Sequence, residues 1–213
     1  MKYGRNEREL QEARGKRVGV IGLTGGIGSG KTVATHALIS HGFFVIDADE
    51  ISREMFAVGT DGERRILKLF PTAAREDGTL NRKKLRELIA YDREARAELN
   101  ALTHKAIIAE VERRVADAKA DSQVVISAPL LLESGLSRLC DAVVCIYCPT
   151  EIRIERITKR DGVSQREARA IIDAQIPDTE RATLCDYIIP SDVPLNEFTS
   201  EVLALFNQLA KFR

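Results

Sequence analysis

The chain has 213 residues, of which 44% are hydrophobic and 30% are charged, the usual size and composition of one soluble α/β domain. Lys and Arg together number 32, as do Asp and Glu, so the formal net charge is zero. A protein that grips a nucleic-acid backbone usually has a basic excess, and a membrane span needs roughly 20 consecutive apolar residues. We therefore expect neither a nucleic-acid partner nor a membrane partner.

The N-terminal residues 1–16 are mixed in charge and lack the apolar segment of a secretory signal. We interpret them as a flexible extension and expect a cytoplasmic protein.

Short apolar runs alternate with longer helical patterns along the rest of the chain. The runs are about one strand long and rich in Val and Ile, at 17–23, 43–47, 123–128, 142–148 and 187–190. Helical patterns occupy 31–41, several pieces within 48–120, and then 150–160, 164–184 and 194–211. Near-continuous apolar runs are typical of parallel strands that are buried on both faces. The alternation predicts an α/β fold with a doubly wound, parallel five-stranded sheet.

The spacing of the predicted strands is uneven. The gap between the second and third strands is several times longer than one crossover helix needs. We therefore predict a helical insertion at about 50–120, with Asn81 as the N-cap of one of its helices. A second excursion at about 150–184 contains Ser164 and Glu167 in a capping-box pattern. Both belong to a single domain at 17–213, whose core comprises 17–49, 121–149 and 185–213.

The first predicted strand runs directly into Gly25-x-x-x-x-Gly30-Lys31-Thr32, and an amphipathic helix follows. This context is that of a phosphate-binding loop, in which glycines let backbone N–H groups face phosphate oxygens at the positive end of a helix. Lys31 would contact the β- and γ-phosphates, and the Thr32 hydroxyl would bind Mg²⁺. The predicted ATP-binding residues of this segment are Gly25, Gly26, Gly28, Ser29, Gly30, Lys31, Thr32 and Val33.

The position of the carboxylates favours a kinase over an ATPase motor or a GTPase switch. The third and fourth predicted strands do not end in the Asp that commonly helps to hold the metal, and no N-K-x-D motif is present. Asp47 and Asp49 instead follow the second strand, at the strand ends where ligands gather in open α/β sheets. Asp49 could accept the proton of an attacking hydroxyl. The alternative is that Asp49 is the N-cap of a helix that begins near Glu50.

Two of the four cysteines, Cys145 and Cys148, form a C-x-x-C pattern that could indicate zinc or redox chemistry. They lie in an apolar run that we interpret as a strand, where they would face opposite sides of the sheet. We expect reduced, buried thiols.

A series of motifs resembles the dephospho-CoA kinase family. These motifs are LTGGIGSGKT, VIDADEISRE, LNALTHKAI, PLLLESGL, RDGVS, Gln175-Ile176-Pro177 and Cys185-Asp186-Tyr187-Ile188-Ile189, in that order. They cover nearly the whole chain from residue 18 onward. The resemblance implies the fold of P-loop kinases and transfer of the γ-phosphoryl group of ATP to the ribose 3′-hydroxyl of dephospho-CoA, with Mg²⁺ as the metal.

The resemblance also implies roles for individual residues. Asp49 and Lys31 would be catalytic, and Asp49, His104 and Leu130 would bind the substrate. The insertion would bind the CoA part of the substrate, and the segment at about 150–184 would close over ATP as a lid. Arg156 and Arg160 match the R-x-x-x-R-D-G pattern of the family and would bind ATP.

The predicted lid is rich in arginine, with Arg153, Arg156, Arg160, Arg166, Arg169 and Arg181. For most of these residues, a solvated helical face is the better interpretation. The chain also departs from the family pattern at Phe70-Pro71, Lys105, Ser127, Ile171 and Ser191. Ser127 replaces an Asp, so no carboxylate is available for metal at that position.

Two alternatives to a dephospho-CoA kinase stay open on the sequence alone. One is another P-loop kinase that acts on a small molecule or nucleotide. The other is a regulatory module that binds ATP without transferring its phosphate.

Overall fold

The computed structural model describes residues 19–119 and 122–210, so the predicted extension at 1–16 lies outside the described residues. In the described part of the chain, five strands form one sheet in the order β2-β3-β1-β4-β5. The strands are β1 (Val20–Thr24), β2 (Phe44–Asp47), β3 (Val124–Ser127), β4 (Ala142–Tyr147) and β5 (Tyr187–Pro190). The sheet is parallel with helices on both sides, as predicted.

The described helices follow the predicted alternation with the strands. They are α1 (Lys31–Ser40), α2 (Ala48–Met55), α3 (Asp61–Leu69), α4 (Arg82–Tyr91), α5 (Arg93–Ala116), α6 (Thr150–Asp161), α7 (Gln165–Asp173), α8 (Asp178–Thr183) and α9 (Leu195–Ala210). Short 3₁₀ turns occupy Pro71–Ala73 and Leu136–Leu139.

The strand order determines where a ligand can bind. Within the sheet, β2 and β3 lie on one side of β1, and β4 and β5 lie on the other side. This reversal at β1 is a topological switch point, and in open α/β sheets the crevice at the carboxyl ends of the strands there receives the ligand. The segment after Thr24 therefore lies between the ends of β3 and β4.

The described residues form two compact units. The first consists of the described residues up to Ile46 and from Ala118 onward, and the second is Asp47–Asp117. The core of the first unit packs residues of the central strands against α1 and α9. Within it, the rings of Phe43 and Phe206 meet edge to face, with centroids 5.9 Å apart.

The second unit has a hydrophobic core of its own, which contains Phe56, Ile66, Phe70, Ala73, Leu80, Leu85, Ala95 and Leu99. A buried carboxylate organises the backbone around this core. Glu63 accepts hydrogen bonds from the N–H of Gly59 at 2.6 Å and from the N–H of Leu80 at 2.8 Å. The bond from Leu80 joins the start of α3 to a segment seventeen residues later in the chain.

Local capping signals in the sequence are confirmed. The Asn81 side chain accepts hydrogen bonds from the N–H groups of Lys83 and Lys84, and Ser164 and Glu167 form a capping box. The helical stretch predicted at 164–184 consists of two helices, because α7 ends at Asp173 and α8 begins at Asp178. Pro177 lies between them, has no N–H to donate and disfavours helical geometry in the residue before it.

Within the described residues, no helix is both long enough and apolar enough to cross a membrane.

We predict that Glu63→Gln destabilises the second unit in a pH-dependent manner. Hydrogen bonds from Leu80 and Gly59 lower the pKa of Glu63 below its usual 4.5. Its stabilising effect is therefore complete above the ordinary pKa and is lost as the pH falls through the lowered pKa. At pH 7 the variant should melt roughly 3–8 °C lower, because an amide nitrogen would face a backbone N–H.

Thermal melts of the parent and of Glu63→Gln from pH 7 to pH 3 test this prediction, with exposed Glu87→Gln as the control. The gap in Tm between Glu63→Gln and the parent should close at the acidic end. A gap that stays constant with pH would contradict the assignment.

Candidate active site

The segment that follows β1 has the backbone of a phosphate-binding loop. Gly28 and Gly30 have φ angles of 77° and 100°, which non-glycine residues rarely adopt. Gly30 is also the N-cap of α1, so the loop leads directly into the helix. The first N–H groups of a helix have no intrahelical acceptor and, with the helix dipole, attract anions. The loop can therefore bind phosphate at this end of α1.

The side chain of Lys31 is held at the end of β3. Its Nζ donates a hydrogen bond to Ser127 Oγ at 2.9 Å, and the Oγ atoms of Ser127 and Thr35 lie 3.2 Å apart. Ser127 is fully buried. The serine therefore supplies a neutral hydroxyl to the lysine at a point where a carboxylate would form an ion pair with it.

Two further predicted residues occupy the first turn of α1. Thr32 and Val33 are both exposed, and Val33 has 38% of its surface accessible. Among the described residues, no group of three or more His, Cys, Asp or Glu side chains could hold a metal ion. The predicted contact of Thr32 with Mg²⁺ stays a prediction.

Arg156 lies against the carbonyl side of the loop. Its guanidinium donates hydrogen bonds to the carbonyl oxygens of Gly28 at 3.2 Å and Ser29 at 3.4 Å. It also donates to Ser191, whose carbonyl oxygen is 2.6 Å away and whose Oγ is 3.0 Å away. The Ser191 hydroxyl in turn donates to the carbonyl of Ser29. One arginine of α6 and one serine after β5 thus bind two consecutive loop carbonyls.

Arg160 forms no hydrogen bond or ion pair with the described residues of the loop. It forms an ion pair with Asp161 at 2.7 Å, and 58% of its side chain is exposed. The hydrogen bond from Arg160 lowers the pKa of Asp161 below its usual range. Its predicted contact with ATP stays a prediction.

The prediction of a solvated helical face is wrong for Arg153 and Arg181, which are 2% and 1% exposed. Arg153 contacts the loop through the carbonyl of Ile27. Arg181 lies 3.9 Å from both Asp178 and Glu133, and its Nε and Nη1 have no hydrogen-bond acceptor among the described residues. No sequence signal indicates the burial of Arg153, because an arginine on a helix is usually solvated.

The four cysteines are free. Cys145, Cys148 and Cys185 are buried, and Cys140 is partly buried. Burial raises the pKa of the Cys140 thiol to about 12, and a hydrogen bond with Cys185 together with burial raises the pKa of Cys145 well above its usual range. The reduced thiols that the sequence predicts are present, although Cys148 lies one residue beyond the end of β4.

The predicted catalytic carboxylate, Asp49, lies in the second unit, in the first turn of α2. The interpretation of Asp49 as an N-cap is wrong. The cap is Asp47, whose Oδ1 accepts hydrogen bonds from the N–H groups of Asp49 at 2.9 Å and Glu50 at 3.1 Å. Asp47 has the extended backbone that a cap requires, whereas Asp49 is already helical. The capping role is thus fulfilled without the Asp49 side chain, which is exposed.

His104 belongs to the same unit as Asp49. It is half-buried on α5, the helix against which α2 packs. Arg114 of α5 forms an ion pair with Glu54 of α2 at 2.5 Å. Leu130 belongs to the first unit, where it follows β3 and is 42% exposed. The structure therefore distributes the predicted site residues over both units.

Comparison with known proteins adds to this geometry. A family model described as dephospho-CoA kinase matches residues 19–197. The chain belongs to the dephospho-CoA kinase family. The curated dephospho-CoA kinase of Streptomyces avermitilis is 37% identical over 183 residues, which are 85% of this chain and 89% of that protein.

Two solved structures superpose on most of the chain. The Thermus thermophilus protein TT1252 superposes with a TM-score of 0.79 at 28% identity, covering 91% of this chain and 99% of that one. The dephospho-CoA kinase from Campylobacter jejuni gives 0.61 at 25% identity, covering 91% of this chain and 98% of that one.

Two departures from the dephospho-CoA kinase pattern have structural consequences at the loop. Ser127 contacts Lys31, and Ser191 contacts Arg156 and the carbonyl of Ser29. Lys105 and Ile171 are exposed, and Phe70 is a buried core residue of the second unit. The unusual serines therefore form part of the loop's support.

We predict that Ser127→Ala lowers kcat/KM for ATP by about ten- to hundredfold, the usual scale for one hydrogen bond to a charged group. The reason is that Lys31 loses the Oγ that holds its Nζ. Steady-state kinetics with varied ATP measure the effect, and Thr35→Val is the control because it leaves the contact between Lys31 and Ser127 in place. Equal values for Ser127→Ala and Thr35→Val would contradict this role.

Proposed function

We propose that the chain transfers the γ-phosphoryl group of ATP to the ribose 3′-hydroxyl of dephospho-CoA, giving CoA and ADP. The observation that supports this most strongly is an intact phosphate loop with Lys31 fixed beside it, in a chain that matches the dephospho-CoA kinase family over residues 19–197. In the reaction, the 3′-oxygen forms a bond to the γ-phosphorus. The bond from that phosphorus to the β–γ bridging oxygen breaks, and ADP leaves.

The donor side of the reaction requires stabilisation of negative charge. The N–H groups of the loop and of the first turn of α1 would hold the β- and γ-phosphates, and Lys31 would follow the charge as it moves to the bridging oxygen. Asp49 would accept the proton of the 3′-hydroxyl. In these roles the protein would accelerate the reaction by positioning the reactants and stabilising charge, as is usual in phosphoryl transfer.

Thr32 would hold Mg²⁺ together with the phosphates. Mg²⁺ usually keeps several waters and binds one or two protein groups in addition to phosphate oxygens, and one exposed hydroxyl at the start of α1 fits this pattern. When bound, the metal would neutralise part of the phosphate charge.

One helical segment would bind the acceptor substrate, and the other would form the lid. The insertion at about 50–120, with His104, would bind the CoA part of dephospho-CoA, and Leu130 would contact the same substrate. The segment at about 150–184 would close over ATP and exclude water, which would otherwise hydrolyse the nucleotide. We place the reaction in the cytoplasm.

An assay of ADP release with Mg²⁺-ATP and a panel of acceptors tests the proposal. We expect ADP to form with dephospho-CoA and to stay at background level with shikimate, gluconate, nucleosides and nucleoside monophosphates. Activity with another acceptor alone would indicate a different small-molecule kinase. ATP binding without turnover on any acceptor would indicate a regulatory module.

We predict that Asp49→Asn lowers kcat by about two to four orders of magnitude, because the acceptor hydroxyl loses its proton acceptor. Binding of ATP should persist, since the loop that grips it is unchanged. Glu50→Gln is the matched control, because Glu50 is an exposed acidic neighbour in the same helical turn. Nearly normal turnover of Asp49→Asn would assign the proton transfer to another group.

A further inference from the structure

Ile27, at the apex of the phosphate loop, is attached to the following helices in three ways. Its carbonyl oxygen accepts a hydrogen bond from Nε of Arg153 at 2.7 Å. Its N–H donates to Oε1 of Gln175 at 2.8 Å. Its side chain packs against a small hydrophobic cluster formed by α6 and α7, which contains Ile154, Ile157, Ala168 and Ile172. Both polar backbone groups of this residue are therefore bound by side chains more than a hundred residues away in sequence.

Arg153 is the centre of this arrangement. It is only 2% exposed, and its guanidinium forms an ion pair with Asp178 and a hydrogen bond to Oε1 of Gln175 at 3.3 Å. A buried charge is tolerated when it is paired and its remaining donors are bound, and both conditions hold here. The guanidinium lies so close to the loop that a Cβ at Gly26 would be 2.4 Å from Nη2. Only glycine leaves room for the arginine at that position.

The contact with Ile27 determines the orientation of one peptide plane. In a planar trans peptide, the C=O of one residue and the N–H of the next point in opposite directions, and no described peptide bond is cis. Because the carbonyl of Ile27 points to Arg153, the N–H of Gly28 points away from it. The carbonyl of Ser29 is bound by Ser191 in the same way, so the N–H of Gly30 also points away from its support.

We infer that Arg153 is a positioning residue for the nucleotide: it holds the carbonyl of Ile27 so that the N–H of Gly28 faces the phosphates. Gln175 acts with it by holding the N–H of the same residue. The inference rests on the proposed function for the identity of the nucleotide. It assigns a purpose to Gln175, a position that the proposed mechanism does not otherwise use.

A purely structural role for Arg153 predicts different behaviour. In that case the ion pair with Asp178 would join α6 to α8, and its loss would lower thermal stability without changing the affinity of the folded protein for nucleotide. The variant Arg153→Lys separates the positioning role from the structural role. Its ammonium can pair with Asp178, but it lacks the planar fork that reaches Asp178 and the carbonyl of Ile27 together.

The test measures binding of Mg²⁺-ADP by titration calorimetry to the full chain and to the variants Arg153→Lys, Gln175→Met and Gln175→Glu. We expect the Kd for ADP to rise about tenfold in Arg153→Lys and in Gln175→Met, because each loses a bond that orients the loop. Gln175→Glu keeps the acceptor oxygen and should stay within about twofold of the parent. The double variant Arg153→Lys/Gln175→Met should be less than additive, since both residues act through Ile27.

The control is Arg169→Met, which removes an arginine from the same region whose exposed ion pair with Glu151 does not involve the loop. It should bind ADP like the parent. KM for dephospho-CoA should change less than about twofold in every variant, while KM for ATP rises with the Kd for ADP.

Parent-like affinity for ADP in both Arg153→Lys and Gln175→Met, whatever their Tm, would overturn the inference. ADP binding needs no acceptor, so this outcome is independent of whether dephospho-CoA is the substrate. If one of these two variants does not fold, the Kd for ADP of the other variant decides the test.

Discussion

The planar trans peptide is the constraint on which the donor site depends. A loop carbonyl that is bound on one side turns the N–H of the next residue to the other side, and this chain binds the carbonyls of Ile27 and Ser29 with side chains. Arg153 and Arg156 of α6 supply most of these donors. Phosphate binding therefore depends on the loop together with the helix that follows β4. The sequence of the loop does not include the residues that hold its carbonyls.

The fold brings these partners together through its strand order. With β1 between β3 and β4, the loop after β1 lies beside Ser127 at the end of one neighbour and beside α6, which follows the other. Lys31 and the loop carbonyls are thus held from two sides. The second unit keeps its own core and its own buried carboxylate, Glu63, so it is stabilised by interactions separate from those that hold the loop.

Local features could be predicted from the sequence because their physical causes are local. The strands, the loop, the Asn81 cap and the capping box at Ser164 each depend on a few neighbouring residues. The burial of Arg153 could not be predicted, because its partners at Ile27 and Asp178 are distant in sequence and an arginine on a helix is usually solvated. The role of Asp49 is ambiguous on the sequence for a related reason, since a helix that begins two residues later would make Asp49 the cap in place of Asp47.

The position of the new phosphate in the product tests the central account most directly. The purified chain would be incubated with Mg²⁺-ATP and dephospho-CoA, and the product analysed by mass spectrometry and by ³¹P–¹H correlation NMR. The account predicts one added phosphate per molecule, coupled to the ribose H3′, in an amount equal to the ADP formed. ADP with free inorganic phosphate, or a phosphate coupled to any other proton, would contradict it.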